Sequence, residues 1–238
     1  MKQRLRDLIS QIEEAAVSVG RNPDEITLVA VSKLHSYDRI IEGMQCGIVH
    51  FGENRIQEAE NKIPQVLSSL LHRDNGLDDR RIMWHLVGRL QSNKAVKAAG
   101  LFDYVHSLDK IKTARHLSKG AVDLGRVISV FIQVNTTQEE TKGGVEPDEV
   151  IDFASEIVEL EGLKLIGLMT MGPLTDDEML IRKSFRKMVE ISHKLRNHSD
   201  KFEGVKELSM GMSDDFKVAI QEGATYIRIG TAIFGERT

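Results

Sequence analysis

The sequence predicts an α/β fold, a single-domain (β/α)8 TIM barrel over residues 1–238 with an extra helix before the first strand. Short apolar runs alternate along the chain with helix-like segments. Strands that are apolar on both faces and joined by helices indicate a parallel sheet, and eight such units favour a closed barrel over an open doubly wound sheet, which stays as the alternative. The runs are Ile26–Val31, Ile48–Phe51, Met83–Val87, Tyr104–Val105, Val130–Val134, Leu163–Met169, Leu208–Met212 and Tyr226–Ile229.

The helices follow from apolar residues at helical spacing. A helix after the fifth run stops at Gly162. After the sixth run, Thr175 and Glu178 have the spacing of a capping box, which predicts a helix start at Thr175. The extra N-terminal helix closes at Gly20 and carries its apolar face at Leu5, Leu8, Ile9, Ile12 and Ala16.

Composition and charge exclude several classes of protein. A formal net charge of -4 without a basic block gives no support to nucleic-acid binding. Neither a signal peptide nor a long uncharged apolar run is present, so we expect no membrane span and a cytoplasmic location. Cys46 is the only cysteine, which excludes an internal disulfide. The histidines do not pair at the spacings of metal ligands, so we expect no metal site.

Lys33 ends the first apolar run, at the carboxyl end of a strand where barrels carry their working residues. Partial desolvation there would lower the pKa of the amine and make it a nucleophile suited to Schiff-base chemistry. The alternative is that Lys33 reaches from the rim into water.

The last strand runs into a segment that could hold a phosphate. Gly230 lets a ligand approach the backbone, Thr231 offers a hydroxyl and an amide, and barrels often bind phosphate after strands seven and eight. Near the end of strand seven, Ser213 could cap a helix that begins near Asp214, with amides facing an anion, or could serve as a cap alone.

The first and last strands of a closed barrel are neighbours, so Lys33 and the Gly230–Thr231 segment should lie side by side. A phosphorylated aldehyde would bridge them. Pyridoxal phosphate has this shape, and a Schiff-base aldolase without a cofactor would also fit.

Several motifs, in order along nearly the whole chain, resemble those of the pyridoxal phosphate homeostasis proteins, also called the YggS/PROSC family. The resemblance implies an alanine-racemase-like barrel of PLP fold type III, with pyridoxal 5'-phosphate held as an internal aldimine on Lys33. It also implies a monomer that acts in vitamin B6 and amino-acid homeostasis without robust catalysis. The motifs are Val29–Lys33, His50–Asn54, Trp84–Lys94, Gly167–Met171, Leu208–Asp215 and Arg228–Gly235.

Site residues can be carried over from this family by position. The resemblance implies that Arg228 faces the pyridine nitrogen, where a permanently charged donor keeps that nitrogen unprotonated. Without the resemblance, Arg228 would be an ion pair inside the barrel and His85 a hydrogen-bonded interior histidine. The implied cofactor-binding residues are Lys33, Asn54, His85, Met169, Ser209, Ser213, Arg228, Gly230 and Thr231.

One departure from the family follows the lysine, where Leu34–Ser36 replaces the usual threonine-x-proline. Ser36 can cap the next helix instead. Two loops are also expected. The segment Thr141–Gly144 matches the family and resembles a mobile loop whose Lys142 meets a ligand or water, and the polar Leu70–Arg81 connection with Asn75–Gly76 indicates a surface loop.

The function expected is that of a PLP carrier, with a small PLP-dependent amino-acid racemase as the alternative. In alanine racemases the second acid/base is a tyrosine from the partner subunit's additional domain, and we expect no such domain here. The tyrosines Tyr37, Tyr104 and Tyr226 do not lie in a segment of that kind. We therefore assign no catalytic residue, and expect PLP, amino acids and PLP-dependent apoenzymes as partners.

Overall fold

The strands form a closed parallel barrel in chain order, β1 to β8, with β8 paired to β1. The computed structural model describes residues 1–71, 82–137 and 143–235. The predicted barrel is confirmed. The strands are β1 (Thr27–Val31), β2 (His50–Glu53), β3 (Met83–Leu86), β4 (Tyr104–Leu108), β5 (Ile128–Gln133), β6 (Leu163–Met169), β7 (Glu207–Ser209) and β8 (Tyr226–Ile229).

Helices cover the outside of the barrel, and the predicted extra helix is α1. It packs against α8 and α9, and its Arg4 donates a hydrogen bond to the carbonyl of Ile233 at 3.1 Å. The helices are α1 (Lys2–Val17), α2 (Tyr37–Gln45), α3 (Ile56–Leu71), α4 (Ala95–Leu101), α5 (Ile111–Asp123), α6 (Val150–Ile157), α7 (Glu178–His198), α8 (Phe216–Gln221) and α9 (Thr231–Phe234).

Two predicted helix starts are wrong. Helix α7 begins at Glu178 rather than Thr175, because the Asp177 side chain accepts hydrogen bonds from the first amides of the helix. Thr175 instead accepts from the amide of Asp177. Helix α8 begins at Phe216 after Asp215, so Ser213 lies in the turn before it and is not its N-cap.

Strand β7 is shorter than the predicted run Leu208–Met212. The chain stays hydrogen-bonded to β8 as far as Gly211, whose carbonyl accepts from the amide of Arg228 at 3.0 Å. Gly211 has φ of 94°, a conformation outside the strand region that ends the run. The predicted loop residues Asn75–Gly76 and Lys142 lie outside the described residues.

The strands separate two kinds of buried side chain. Because successive residues of a strand point to opposite faces, one set packs under the helices and the other fills the barrel. Val105 and Ile132 belong to the apolar layer beneath the helices. Their neighbours His106 and Phe131 stack inside the barrel with ring centroids 4.3 Å apart. The barrel interior is therefore partly polar.

Across residues 1–71, 82–137 and 143–235, we find no helix that combines the length and the apolar character needed to span a membrane.

Candidate functional site

Lys33 lies on a tight turn directly after β1. The amide of His35 donates to the carbonyl of Ser32 at 3.1 Å, which closes the turn around Lys33 and Leu34. Leu34 has φ of 64°, a left-handed conformation that is uncommon for a residue with a branched side chain. Lys33 itself is half-buried. The nucleophile predicted from the sequence is thus held at the carboxyl mouth of the barrel.

The end of β8 packs closely against the end of β1. A Cβ atom on Gly230 would lie 3.1 Å from the carbonyl oxygen of Val31, which is tighter than most Cβ contacts. Thr231 is exposed and begins α9, where the first helical amides have no partner within the helix. Gly230 and Thr231 therefore present a hydroxyl and backbone donors beside β1, as a phosphate site requires.

An aromatic contact joins the Lys33 turn to this segment. The ring of His35 stacks on that of Phe234 with centroids 5.0 Å apart. Arg39 of α2 also donates to the Phe234 carbonyl at 2.9 Å. The lysine and the phosphate-binding candidates thus share one corner of the barrel mouth, as the closed topology predicts. Ser36 precedes α2 as its N-cap residue, but its side chain makes no capping hydrogen bond.

Arg228 points into the barrel from β8 and is 5% exposed. Its guanidinium donates to the Ser209 hydroxyl at 2.7 Å and to the Thr170 carbonyl at 2.9 Å. Burial lowers the pKa of Arg228 to about 10, an effect that the charge of Asp215 opposes. The side chain therefore stays charged at neutral pH, with its bonds directed at neutral acceptors.

A chain of hydrogen bonds crosses the barrel interior to Arg228. His50 Nδ1 lies 2.9 Å from His85 Nε2, and His85 Nδ1 lies 2.9 Å from His106 Nε2. His106 Nδ1 is 2.8 Å from the Ser209 hydroxyl that accepts from Arg228. The chain links β2, β3, β4, β7 and β8, and His85 lies within it as a hydrogen-bonded interior histidine, which was the alternative to its implied place in the cofactor pocket.

The histidines of this hydrogen-bond chain are held in the neutral form. Burial lowers the pKa of His85 well below its usual value, and the neighbouring His106 and His50 lower it further. Burial and the charge of Arg228 do the same to the pKa of His106. Neutral imidazoles let each ring donate at one nitrogen and accept at the other, as a continuous chain requires.

The remaining predicted residues lie at or near the same mouth. Met169 ends β6, is buried, and pairs in register with Ser209. Asn54 follows β2 and is half-buried, with Gly88 packed so closely that a Cβ there would lie 2.2 Å from the Asn54 carbonyl oxygen. Ser213 is half-buried in the turn before α8. The barrel thus brings the ends of β1, β2, β6, β7 and β8 to one rim.

Sequence reasoning missed His50, His106 and the carboxylate beneath Lys33. Glu53 is fully buried and accepts from the Ser32 hydroxyl at 2.7 Å and from Lys62 at 3.0 Å. A usable signal did exist, because three consecutive strands each carry a histidine. Within the described parts of the chain, no three His, Cys, Asp or Glu side chains group as a metal site would need.

Comparison with known proteins places these residues in context. Residues 6–238 match the family described as alanine racemase, N-terminal domain. A pyridoxal phosphate homeostasis protein of Aquifex aeolicus (strain VF5) is 38% identical over 235 residues, which cover 99% of this chain and 97% of the relative.

Solved structures agree with this match. PipY of Synechococcus elongatus PCC7942 without PLP superposes with a TM-score of 0.85 at 34% identity, over 99% of this chain and 100% of that one. PipY with PLP bound gives 0.79 at 35% identity, over 94% and 100%. Alanine racemase of Clostridium difficile 630 gives 0.70 at 16% identity, over 98% of this chain and 56% of that longer one, and shares the fold alone.

Proposed function

The chain belongs to the family of pyridoxal phosphate homeostasis proteins, within the alanine racemase N-terminal domain family, and from that premise we propose that it binds pyridoxal 5'-phosphate (PLP) covalently through Lys33. Its role is then in PLP (vitamin B6) and amino-acid homeostasis, without robust catalysis. The observation that carries the proposal is the corner where the Lys33 turn meets Gly230 and Thr231.

The residues at this corner fit the group. Gly230 has no side chain that would crowd the end of β1 beside Lys33, Thr231 supplies a hydroxyl and a helix-start amide for the phosphate, and Arg228 supplies a fixed positive charge inside the barrel. PLP bound here would supply an aldehyde for the Lys33 amine, and their condensation would release one water. Asn54, Met169, Ser209 and Ser213 complete the proposed pocket, and His85 supports it from within the barrel.

Two features favour a carrier over a racemase. Arg228 at the pyridine nitrogen would hold that nitrogen unprotonated, which weakens the withdrawal of electrons that proton abstraction at a substrate carbon needs. Tyr104 and Tyr226 open β4 and β8, so they lie at the amino end of the barrel, opposite Lys33. Neither of these two tyrosines therefore lies at the strand ends that carry Lys33.

The proposal extends to partners and location. We place the protein in the cytoplasm as a monomer that binds PLP, has amino acids and PLP-dependent apoenzymes as further partners, and contacts neither nucleic acid nor membrane. The weak net charge of -4 supports small-molecule partners over polyanions.

Absorbance spectroscopy tests the proposal. Purified wild type and Lys33→Ala are mixed with PLP and then reduced with borohydride. We expect a near-violet visible band that borohydride converts to a permanent product only when Lys33 is present. Alanine racemisation at an ordinary turnover, about 10 per second, would contradict the non-catalytic part. A borohydride-fixed product that forms on Lys33→Ala as readily as on wild type, or on neither protein, would contradict the attachment.

A further inference from the structure

Three charged side chains form hydrogen bonds with the turn that carries Lys33. Lys62 on α3 donates to the carbonyl of Ser32 at 2.8 Å, to Glu53 at 3.0 Å and to Glu58 at 2.5 Å. Both residues that flank Lys33 are bound to this group. The Ser32 hydroxyl donates to Glu53 at 2.7 Å, and the amide of Leu34 donates to Glu58.

Two features of this arrangement are unfavourable for the stability of the fold. Leu34 adopts a left-handed φ of 64°, where glycine or asparagine would fit without strain. Glu53 is fully buried, and its Oε2 atom has no hydrogen-bond partner among the described residues. Burying a charged pair generally stabilises a fold less than apolar packing of the same volume does. These costs concentrate on the one turn that holds Lys33.

We propose that Glu53, Glu58 and Lys62 are positioning residues that fix the turn on both sides of Lys33, so that its amine faces the barrel mouth. The inference rests on the proposed function only where it concerns PLP. The carbonyl of Ser32 accepts from both His35 and Lys62, and Glu58 accepts the amide of Leu34, so the backbone is tied on each side of Lys33.

The same contacts give the two neighbouring lysines different roles. A lysine ammonium has three donors, and Lys62 uses all of them on the Ser32 carbonyl and the two carboxylates. Lys62 is also buried, at 8% exposure, whereas Lys33 is half-buried at the barrel mouth. Lys33 is thus the lysine of this cluster that reacts with an aldehyde.

Amide hydrogen exchange in the cofactor-free protein tests the positioning directly. In Glu58→Ala the amides of Leu34 and His35 should exchange about tenfold faster than in wild type, because Leu34 loses its acceptor. Exchange in β5 and β6, on the far side of the barrel, should stay unchanged. The control is Glu60→Ala, on the same helix, where the lost partner is Lys97 at the surface.

Acceleration spread equally over the whole barrel, or none at the turn, would overturn the proposal. Lys62→Met offers a second variant with the same expectation. It leaves Glu53 buried without its cation, so if this variant fails to fold, Glu58→Ala still decides the question.

A second readout concerns the cofactor. The Lys33-dependent visible band should form about tenfold more slowly in Glu58→Ala than in Glu60→Ala when each is mixed with PLP. Equal rates would overturn the role of these positioning residues in the reactivity of Lys33. Absence of that band in wild type would refute the proposed function instead, while the exchange experiment would still decide the positioning.

Discussion

Arg228 carries a full charge into the barrel interior, and its neighbours are arranged around that charge. Replacing it with glutamine removes the donors that satisfy Ser209 and Thr170 and shortens a buried side chain. We expect Arg228→Gln to lower the free energy of unfolding by about 2–4 kcal/mol, measured by urea denaturation. Arg115→Gln, which loses a surface bond to Glu156, should change it little. Equal effects of both variants on the free energy of unfolding would mean that the buried hydrogen bonds of Arg228 do not stabilise the fold.

The interior histidines predict a pH dependence of stability. Burial lowers the pKa of His85 and of His106 in the folded state, while in the unfolded chain both take up a proton near about pH 6.5. Stability from these groups is therefore present above about pH 6.5 and is lost as the pH falls below it, by up to about 1.4 kcal/mol per pH unit for each histidine.

The histidine contribution is isolated by comparing variants. The difference in unfolding free energy between about pH 7.5 and about pH 5.5 should be smaller in His106→Gln than in wild type. The exposed His198 provides the control, since His198→Gln should leave that difference unchanged. Carboxylates such as Glu53, whose pKa burial raises, act in the opposite direction and are common to all three proteins.

Individual site residues could be predicted from the sequence where they end a strand. Residues that act through partners distant in the sequence could not. Lys33, Gly230 and Thr231 follow from their places after apolar runs. His106 and Ser209 are 103 residues apart, and no local sequence pattern predicts their hydrogen bond. Ser213 was predicted as a helix cap, but Asp215 lies next to the helix and occupies that position.

Strand pairing depends on a close approach between β6 and β7. A Cβ atom on Gly167 would lie 1.9 Å from the carbonyl oxygen of Glu207, so any larger residue must separate the two strands. We expect Gly167→Ala to lower the free energy of unfolding by several kcal/mol, about 3 or more, measured by denaturant titration. At Gly204, a Cβ would meet no atom within 4 Å, so Gly204→Ala is the matched control. A mild effect at Gly167 would show that β7 can shift without loss.

Elements were predicted better in their order than in their ends. The short apolar runs placed all eight strands, and β6 and β8 match the predicted bounds. Ends failed where one side chain decided them, as Asp177 does for α7. Strand β4 extends to Leu108. The predicted run stopped at Val105 because the polar residues His106 and Ser107 interrupt the apolar pattern there.

For the whole molecule, the closed topology brings the chemistry together. Pairing of β8 with β1 places Arg228 opposite Val29 and lets Gly230 touch the end of β1, although about 200 residues separate them in sequence. Alternation along the strands then gives the barrel a partly polar interior and an apolar layer beneath the helices. The barrel could be predicted from the sequence because each strand and helix has a local sequence pattern. The chain of hydrogen bonds inside the barrel could not, because its members are far apart in the sequence.

The central claim is that PLP is attached at Lys33 and at no other lysine. Wild-type protein is loaded with PLP, reduced with borohydride, digested and analysed by peptide mass spectrometry. The account predicts that the reduced adduct is on the peptide containing Lys33. An adduct on the peptide of Lys62, on another lysine peptide, or on none would contradict it.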